Sequence, residues 1–310
     1  MIVTVTMNPA IDKTVEIGEF RYGGLNRIQK VEYDAGGKGI NVSKTIRELG
    51  GTSIATGFLG GNTGRTIENV LKELEITSDF IWVDGETRTN TKVFDERGVL
   101  TELNEPGVKI SQKQVDELLE KLENYAGEQT LFVLSGSVPT GVDKEIYAKI
   151  IDLVHKKGAK VLLDADGELF RKALEVKPDM IKPNHMELEE YAQLQFYASE
   201  TELLEIADSI LKKGISTITI SMGNSGALFV TKEKKIKCPA LCVRAHSTVG
   251  AGDAMVAAMA HAWEQKMDAE DMIRLCMAVS AGAVTTVGTK PPSRELIKEL
   301  EGKVILENLQ

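Results

Sequence analysis

The sequence predicts an α/β protein: a mostly parallel sheet flanked by helices on both faces, with a small antiparallel β sheet as a lid. Three observations predict it. Helix-period and strand-period segments alternate through the middle and C-terminal parts of the chain. The first third instead holds short segments of period two separated by turns. With 310 residues, 42% of them hydrophobic, the chain can bury one large core.

Taken in order, "MIVTVTMNPA" alternates like a strand and has neither a basic leader nor a long apolar run. "KTVEIGEF", "NRIQKVEY", "TNTKVFDE" and "VLTELN" set polar residues between Val, Ile, Phe and Leu, as in a sheet with one covered face. One helix, "GINVSKTIRELG", interrupts them. The lid is therefore discontinuous, at about 13–34 and 88–104, inside a single domain spanning 1–310. Val115, Leu118, Leu119 and Leu122 then mark a helix, "TLFVLSG" a buried strand, "EIYAKIIDLVHKKG" a helix and "AKVLLDADG" a strand. "DMIKPN", "TELLEIADSILKKG" and "STITISMG" continue the series. Right-handed crossovers follow from this order, and ligands belong at the carboxyl ends of the strands.

Composition narrows the partners. A net charge of −9 argues against a nucleic acid or an anionic membrane, each of which needs a basic face. No stretch is long and apolar enough to span a bilayer. Three cysteines without a CxxC pair fit reduced thiols in a cytoplasmic chain. The four histidines lack the spacing of zinc ligands.

The segment "STVGAGDAMVAAMA" brings two glycines and Asp253 to the start of an apolar helical run. Asp253 is either a helix-capping acid or a carboxylate beside an anion hole made by the N–H groups of Ala251, Gly252 and Asp253. "DAGGKGINVSK" poses a similar choice. It is a tight turn, or Gly36 and Gly37 let backbone approach a polyhydroxylated ligand while Asn41 and Asp12 bond its hydroxyls. Neither a Walker A loop nor a GxGxxG dinucleotide fingerprint is present.

Taken together, "NPAID", "GGKGINVSK", "SGSVPTG", "KPNHMELEE", "SMGNSGAL" and "STVGAGDAMVAA" resemble, in order and over nearly the whole chain, the ribokinase-like (PfkB) carbohydrate kinases. "GLNR" and "TRTN" give it the look of the 1-phosphofructokinase and tagatose-6-phosphate kinase branch. The resemblance implies that Asp253 is a general base and that Gly250, Ala251 and Gly252 build the anion hole. It implies sugar-phosphate contacts from Asp12, Gly36, Gly37, Lys38, Asn41, Arg88, Arg27 and Ser137. Lys182, Asn184, Ser221, Gly223, Gly226, Val249, Ala281 and Gly282 would contact ATP, and Glu187 would organise the Mg²⁺ shell. ATP and Mg²⁺ are the implied cofactors, with a monovalent cation allowed.

Two positions depart from the family pattern. Ala254 follows the catalytic Asp where Ser is common, and Glu102 stands where some 6-phosphofructokinases of the family carry a phosphate-binding Arg. A carboxylate there would repel a phosphate, which favours D-fructose 1-phosphate over fructose 6-phosphate. D-tagatose 6-phosphate is the alternative substrate, and a catalytically silent sugar-phosphate sensor is disfavoured because Asp253 and its glycines are present. The resemblance also implies a homodimer through the lid, with Val31 and Val93 among the apolar positions at the contact.

Overall fold

A computed structural model describes residues 1–309. Among the described residues, eleven strands form the large sheet. Its central part runs Thr77–Ser78, Ile54–Gly60, Ile2–Thr6, Leu131–Ser135, Lys160–Asp164, Met180–Ile181 and Thr217–Ser221, all parallel. Ile81–Val83 also pairs parallel with Ile54–Gly60. Ala227–Thr231, Lys235–Cys238 and Glu307–Leu309 extend the far edge antiparallel.

Side-chain alternation in the central strands explains the layers. In Leu131–Ser135, Phe132 and Leu134 enter one apolar core and Leu131 and Val133 the other. Successive side chains of a strand point to opposite faces, so a strand apolar throughout must be covered twice. Helices Gln112–Tyr125, Ile146–His155, Gly167–Glu175 and Glu200–Lys213 cover the first face. Lys38–Glu48, Ala251–Gln265, Ala269–Ala283 and Arg294–Glu301 contribute to the second.

The lid is a four-stranded sheet in the order Ile28–Gly36, Ala10–Ile17, Arg88–Phe94, Leu100–Leu103. Its outer pairings are antiparallel, while the central one, Ala10–Ile17 with Arg88–Phe94, is parallel. Period-two patterning fixes which residues share a face but leaves strand direction open. The register separates two lid faces. Asp12, Asp34 and Asn90 lie abreast, followed by Thr14, Glu32 and Lys92, on one face; Val15, Val31 and Val93 lie abreast on the other. Met7, Asn8 and Pro9 alone separate the core strand Ile2–Thr6 from the lid strand, so the polar lid face stands beside the carboxyl ends of the large sheet.

Candidate active site

Thr6, Ser135 and Asp164 end three neighbouring parallel strands and lie in register. Thr6 Oγ1 and Ser135 Oγ are buried without a hydrogen-bond partner among the described residues, and each buried Asp164 carboxylate oxygen faces only a lysine ammonium. Buried polar atoms are nearly always satisfied, so a row of open ones at the strand ends is where a polar ligand fits.

Asp164 holds two lysines. Its Oδ2 lies 3.3 Å from Lys38 Nζ and its Oδ1 lies 3.3 Å from Lys182 Nζ. Burial alone would raise its pKa, but Lys182 and Lys38 outweigh that and hold it below the usual carboxylate range. Asp164 in turn is the main reason why the Lys38 pKa is raised. Two ammonium groups gathered at one carboxylate bring to the strand ends the cations that phosphates require.

Asp253 occupies the third position of helix Ala251–Gln265 and is buried. Its Oδ2 accepts Asn41 Nδ2 at 2.8 Å, across 212 residues of sequence. No side chain caps this helix: the N-cap is Gly250, at φ 85°, a conformation that disfavours any residue with a Cβ. The capping reading of Asp253 is therefore displaced by a contact to another helix. Ala254 N–H bonds back to Gly250 O, and Ala251 N–H reaches Thr248 O only at 3.4 Å. Gly252 and Asp253 N–H lack a backbone partner among the described residues, as expected for a helix start able to receive an anion. A Cβ on Gly252 would sit 3.5 Å from Lys182 Nζ, so the glycine keeps the space before that ammonium open. Desolvation first, then the Asp164 charge, pushes Asp253 up to about 6. A carboxylate in that range is ionised at neutral pH yet basic enough to take a proton.

At the lid, Asp12 is buried and receives Lys92 Nζ at 2.8 Å and Asn90 Nδ2 at 3.3 Å. Gly36 faces it: a Cβ there would come within 2.9 Å of Asp12 Oδ2. Gly37 and Gly39 seat helix Lys38–Glu48 on the core strand, since Cβ atoms would meet Thr6 at 2.7 and 2.5 Å. Arg88 Nη1 donates to Glu105 O and Nη2 to Asn8 O, both at 3.0 Å, while its buried Nε has no partner. Ser137 is exposed just past the strand Leu131–Ser135, next to Gly136, whose Cβ would pack on Lys38. Arg27 is exposed on the lid, away from this cluster's contacts.

Among the residues expected to contact ATP, Asn184 and Ser221 form a parallel bridge at neighbouring strand ends. Asn184 and Glu187 make a reciprocal capping box, with both bonds at 2.8 Å. Glu187 nonetheless lies within the field of Lys182, Asp164 and Lys38, and burial raises its pKa. Gly223 is exposed in a short 3₁₀ turn. Gly226 has φ 94°, and a Cβ would overlap Cys238 O at 1.9 Å, so the hairpin it starts requires it. Val249 and Ala281 are half-buried. Gly282 is buried, and a Cβ there would meet Pro292 at 2.7 Å.

Sequence reasoning missed Asp164 and Lys92. The rule that ligands sit at strand ends, applied to "VLLDADG", points to Asp164, and alternation in "RTNTK" puts Lys92 on the same lid face as Asn90.

Residues 2–296 match the pfkB family carbohydrate kinases. The chain is 36% identical to a 1-phosphofructokinase of Borreliella burgdorferi, over 93% of this chain and 92% of the relative. It is 33% identical to a D-tagatose-1-phosphate kinase of Bacillus licheniformis, over 92% of each chain. The structure superposes on phosphofructokinase-2 of Escherichia coli in complex with potassium with a TM-score of 0.92 at 28% identity, covering 97% and 98% of the two chains. With Asp253 and its partnerless N–H groups facing the Asp164 lysine pair, and with this match along almost its entire length, the chain belongs to the pfkB family of carbohydrate kinases.

Proposed function

We propose that this enzyme transfers the γ-phosphoryl group of ATP to D-fructose 1-phosphate, giving fructose 1,6-bisphosphate. The observation that carries the reading is the buried Asp253 carboxylate, oriented by Asn41 at a helix start with partnerless N–H groups. Asp253 accepts the proton of the attacking sugar hydroxyl, and the N–H groups of Gly252 and Asp253 stabilise charge on the transferred oxygens. Lys38, beside Asp164 and within the field of Asp253, belongs at the transfer end of the site. Arg88, on the lid, is the better holder of the phosphate already on the sugar, and Asp12 with Asn41 and Gly36 binds hydroxyls. Glu187, with Asp164 in the same field, is the carboxylate suited to hold a magnesium shell through water. Magnesium bound there would neutralise charge on the ATP phosphates.

Two further points support fructose 1-phosphate. Relatives that match over nearly their full length bear the name 1-phosphofructokinase. Glu102, the Cα partner of Lys92, puts a carboxylate at the lid edge where a 6-phosphate would need a cation. The second reading is a tagatose phosphate, which the relative from Bacillus licheniformis favours. Steady-state kinetics with fructose 1-phosphate, fructose 6-phosphate, tagatose 1-phosphate and tagatose 6-phosphate side by side should give the highest kcat/KM with fructose 1-phosphate. A higher value with either tagatose phosphate overturns the assignment. Potassium, present in the Escherichia coli neighbour, is the monovalent cation to include and omit in these assays.

The lid also forms a homodimer in this reading. On its outward face Val31, Tyr33 and Leu103 are 39%, 66% and 58% exposed, and such apolar edges need cover. Val93 differs from its expected place: at 8% exposure it packs with Val15, Ile17 and Phe20 inside one lid. Charging Val93 would damage the lid itself, so Val31→Glu and Leu103→Glu are the informative changes. Light scattering at micromolar concentration should show a wild-type dimer and monomeric variants. A wild-type mass of one chain with full activity would remove dimerisation from the account.

A further inference from the structure

Helix Lys38–Glu48 carries three polar side chains at three-residue intervals, and each reaches a different carboxylate. Lys38 meets Asp164, Asn41 meets Asp253, and Lys44 meets Asp34. The first two contacts belong to the transfer site. The third does not, although its lysine is buried, with the side chain 4% exposed.

Lys44 Nζ donates to Asp34 Oδ1 at 2.8 Å, Ala35 O at 2.9 Å and Thr289 Oγ1 at 3.3 Å, which satisfies all three ammonium protons. Thr289 in turn donates from N and Oγ1 to Asp34 Oδ2, at 3.2 and 2.8 Å. Three separate pieces of chain meet here. Asp34 lies near the end of lid strand Ile28–Gly36, abreast of Asp12 and two residues before Gly36. Thr289 packs against Gly250, the residue that starts the Asp253 helix; a Cβ on Gly250 would lie 3.4 Å from Thr289 Cγ2. Lys44 is on the helix that positions Asn41.

A buried ion pair is a poor source of stability, because desolvating both charges offsets most of their attraction, and apolar side chains would hold these elements together as well. What directional bonds add is a single relative orientation. We propose that Lys44, Asp34 and Thr289 form a positioning strut that fixes the sugar-binding end of the lid relative to Gly250, and so sets the distance between the bound sugar hydroxyl and the anion hole. This rests on the kinase reading of Asp253 but not on which sugar phosphate is used. The strut touches no reacting atom; it acts through Gly250 and through the lid strand.

Thr289→Val removes the hydroxyl at nearly constant volume, and Thr289→Ser retains it. The assay uses whichever of the four ketohexose phosphates the wild-type enzyme turns over fastest, so the substrate assignment can fail while the strut is still tested. Thr289→Val should lower kcat about 10- to 100-fold with the ATP KM within about threefold of wild type, the scale expected for ångström misplacement of reacting groups. Thr289→Ser should restore kcat. Thermal melting confirms that each variant is folded at the assay temperature, and Thr289→Ala repeats the hydroxyl loss if the valine variant is not. Unchanged kcat in a folded valine or alanine variant overturns the proposal, as does a serine variant no better than valine.

Discussion

Replacing Asp253 by Asn is expected to lower turnover by roughly 100- to 10,000-fold, the scale of a lost general base, with ATP and sugar-phosphate KM little changed. The amide keeps the shape of the carboxylate, and its oxygen still accepts Asn41 Nδ2, so the loss is confined to proton acceptance. The same variant should be more stable than wild type at neutral pH. Asp253 is raised to about 6 by burial and by Asp164, so the folded state binds its proton more tightly than the unfolded state. Stability is therefore lost as pH rises between the ordinary carboxylate range and about 6, and a neutral side chain escapes that loss. A helix-capping role predicts no such gain, since Asn caps a helix about as well as Asp. The kcat/KM of the wild type should fall as pH drops through about 6, where Asp253 of the free enzyme takes up its proton. Thermal melts and a pH–rate profile check both halves; a folded Asn variant with near wild-type kcat restores the capping role.

Much of this site is legible in the sequence where its signal is local. The glycines of "VGAGD" and the apolar period after them place Asp253 in a first helical turn, and "GGKGIN" places Asn41 in another. That the two side chains meet is not local, and only the resemblance to a family brought them together. Asp164 stayed hidden because its significance depends on strand register: Thr6, Ser135 and Asp164 align only once three parallel strands are paired. The glycines show the limit from the other side. Gly36, Gly37 and Gly226 occur in similar turn-like contexts, yet one clears Asp12, one clears Thr6 and one clears a neighbouring carbonyl. Identical local grammar thus leaves room beside a carboxylate in one place and allows close backbone packing in another. The Asp34–Thr289 contact joins residues 255 apart, beyond any window in which periodicity carries information.

Arg88→Ala is expected to reduce kcat/KM for the sugar phosphate by about 100-fold or more while leaving the ATP KM within about threefold, because charge-assisted hydrogen bonds contribute roughly 1.5–3 kcal/mol each. The guanidinium has five N–H groups. Two are used on Glu105 O and Asn8 O, which fix its plane between the lid and the end of the first core strand. The buried Nε–H has no protein partner among the described residues, and each Nη makes one bond, which leaves N–H groups for the fork that grips a phosphate. Burial lowers the Arg88 pKa while Asp12 and Glu105 oppose that effect, and the group remains a cation at any working pH. A lysine cannot reproduce the fork or hold both carbonyls, so Arg88→Lys should recover little. Arg27, exposed and without these contacts, should cost much less when replaced by Ala in the same assay. Lys38→Met separates the two phosphates: as a group beside Asp164 it should lower kcat more than it raises the sugar-phosphate KM. Equal loss of affinity for ATP and sugar phosphate in Arg88→Ala, with an unchanged melting temperature, would show that Arg88 does not hold the sugar's phosphate.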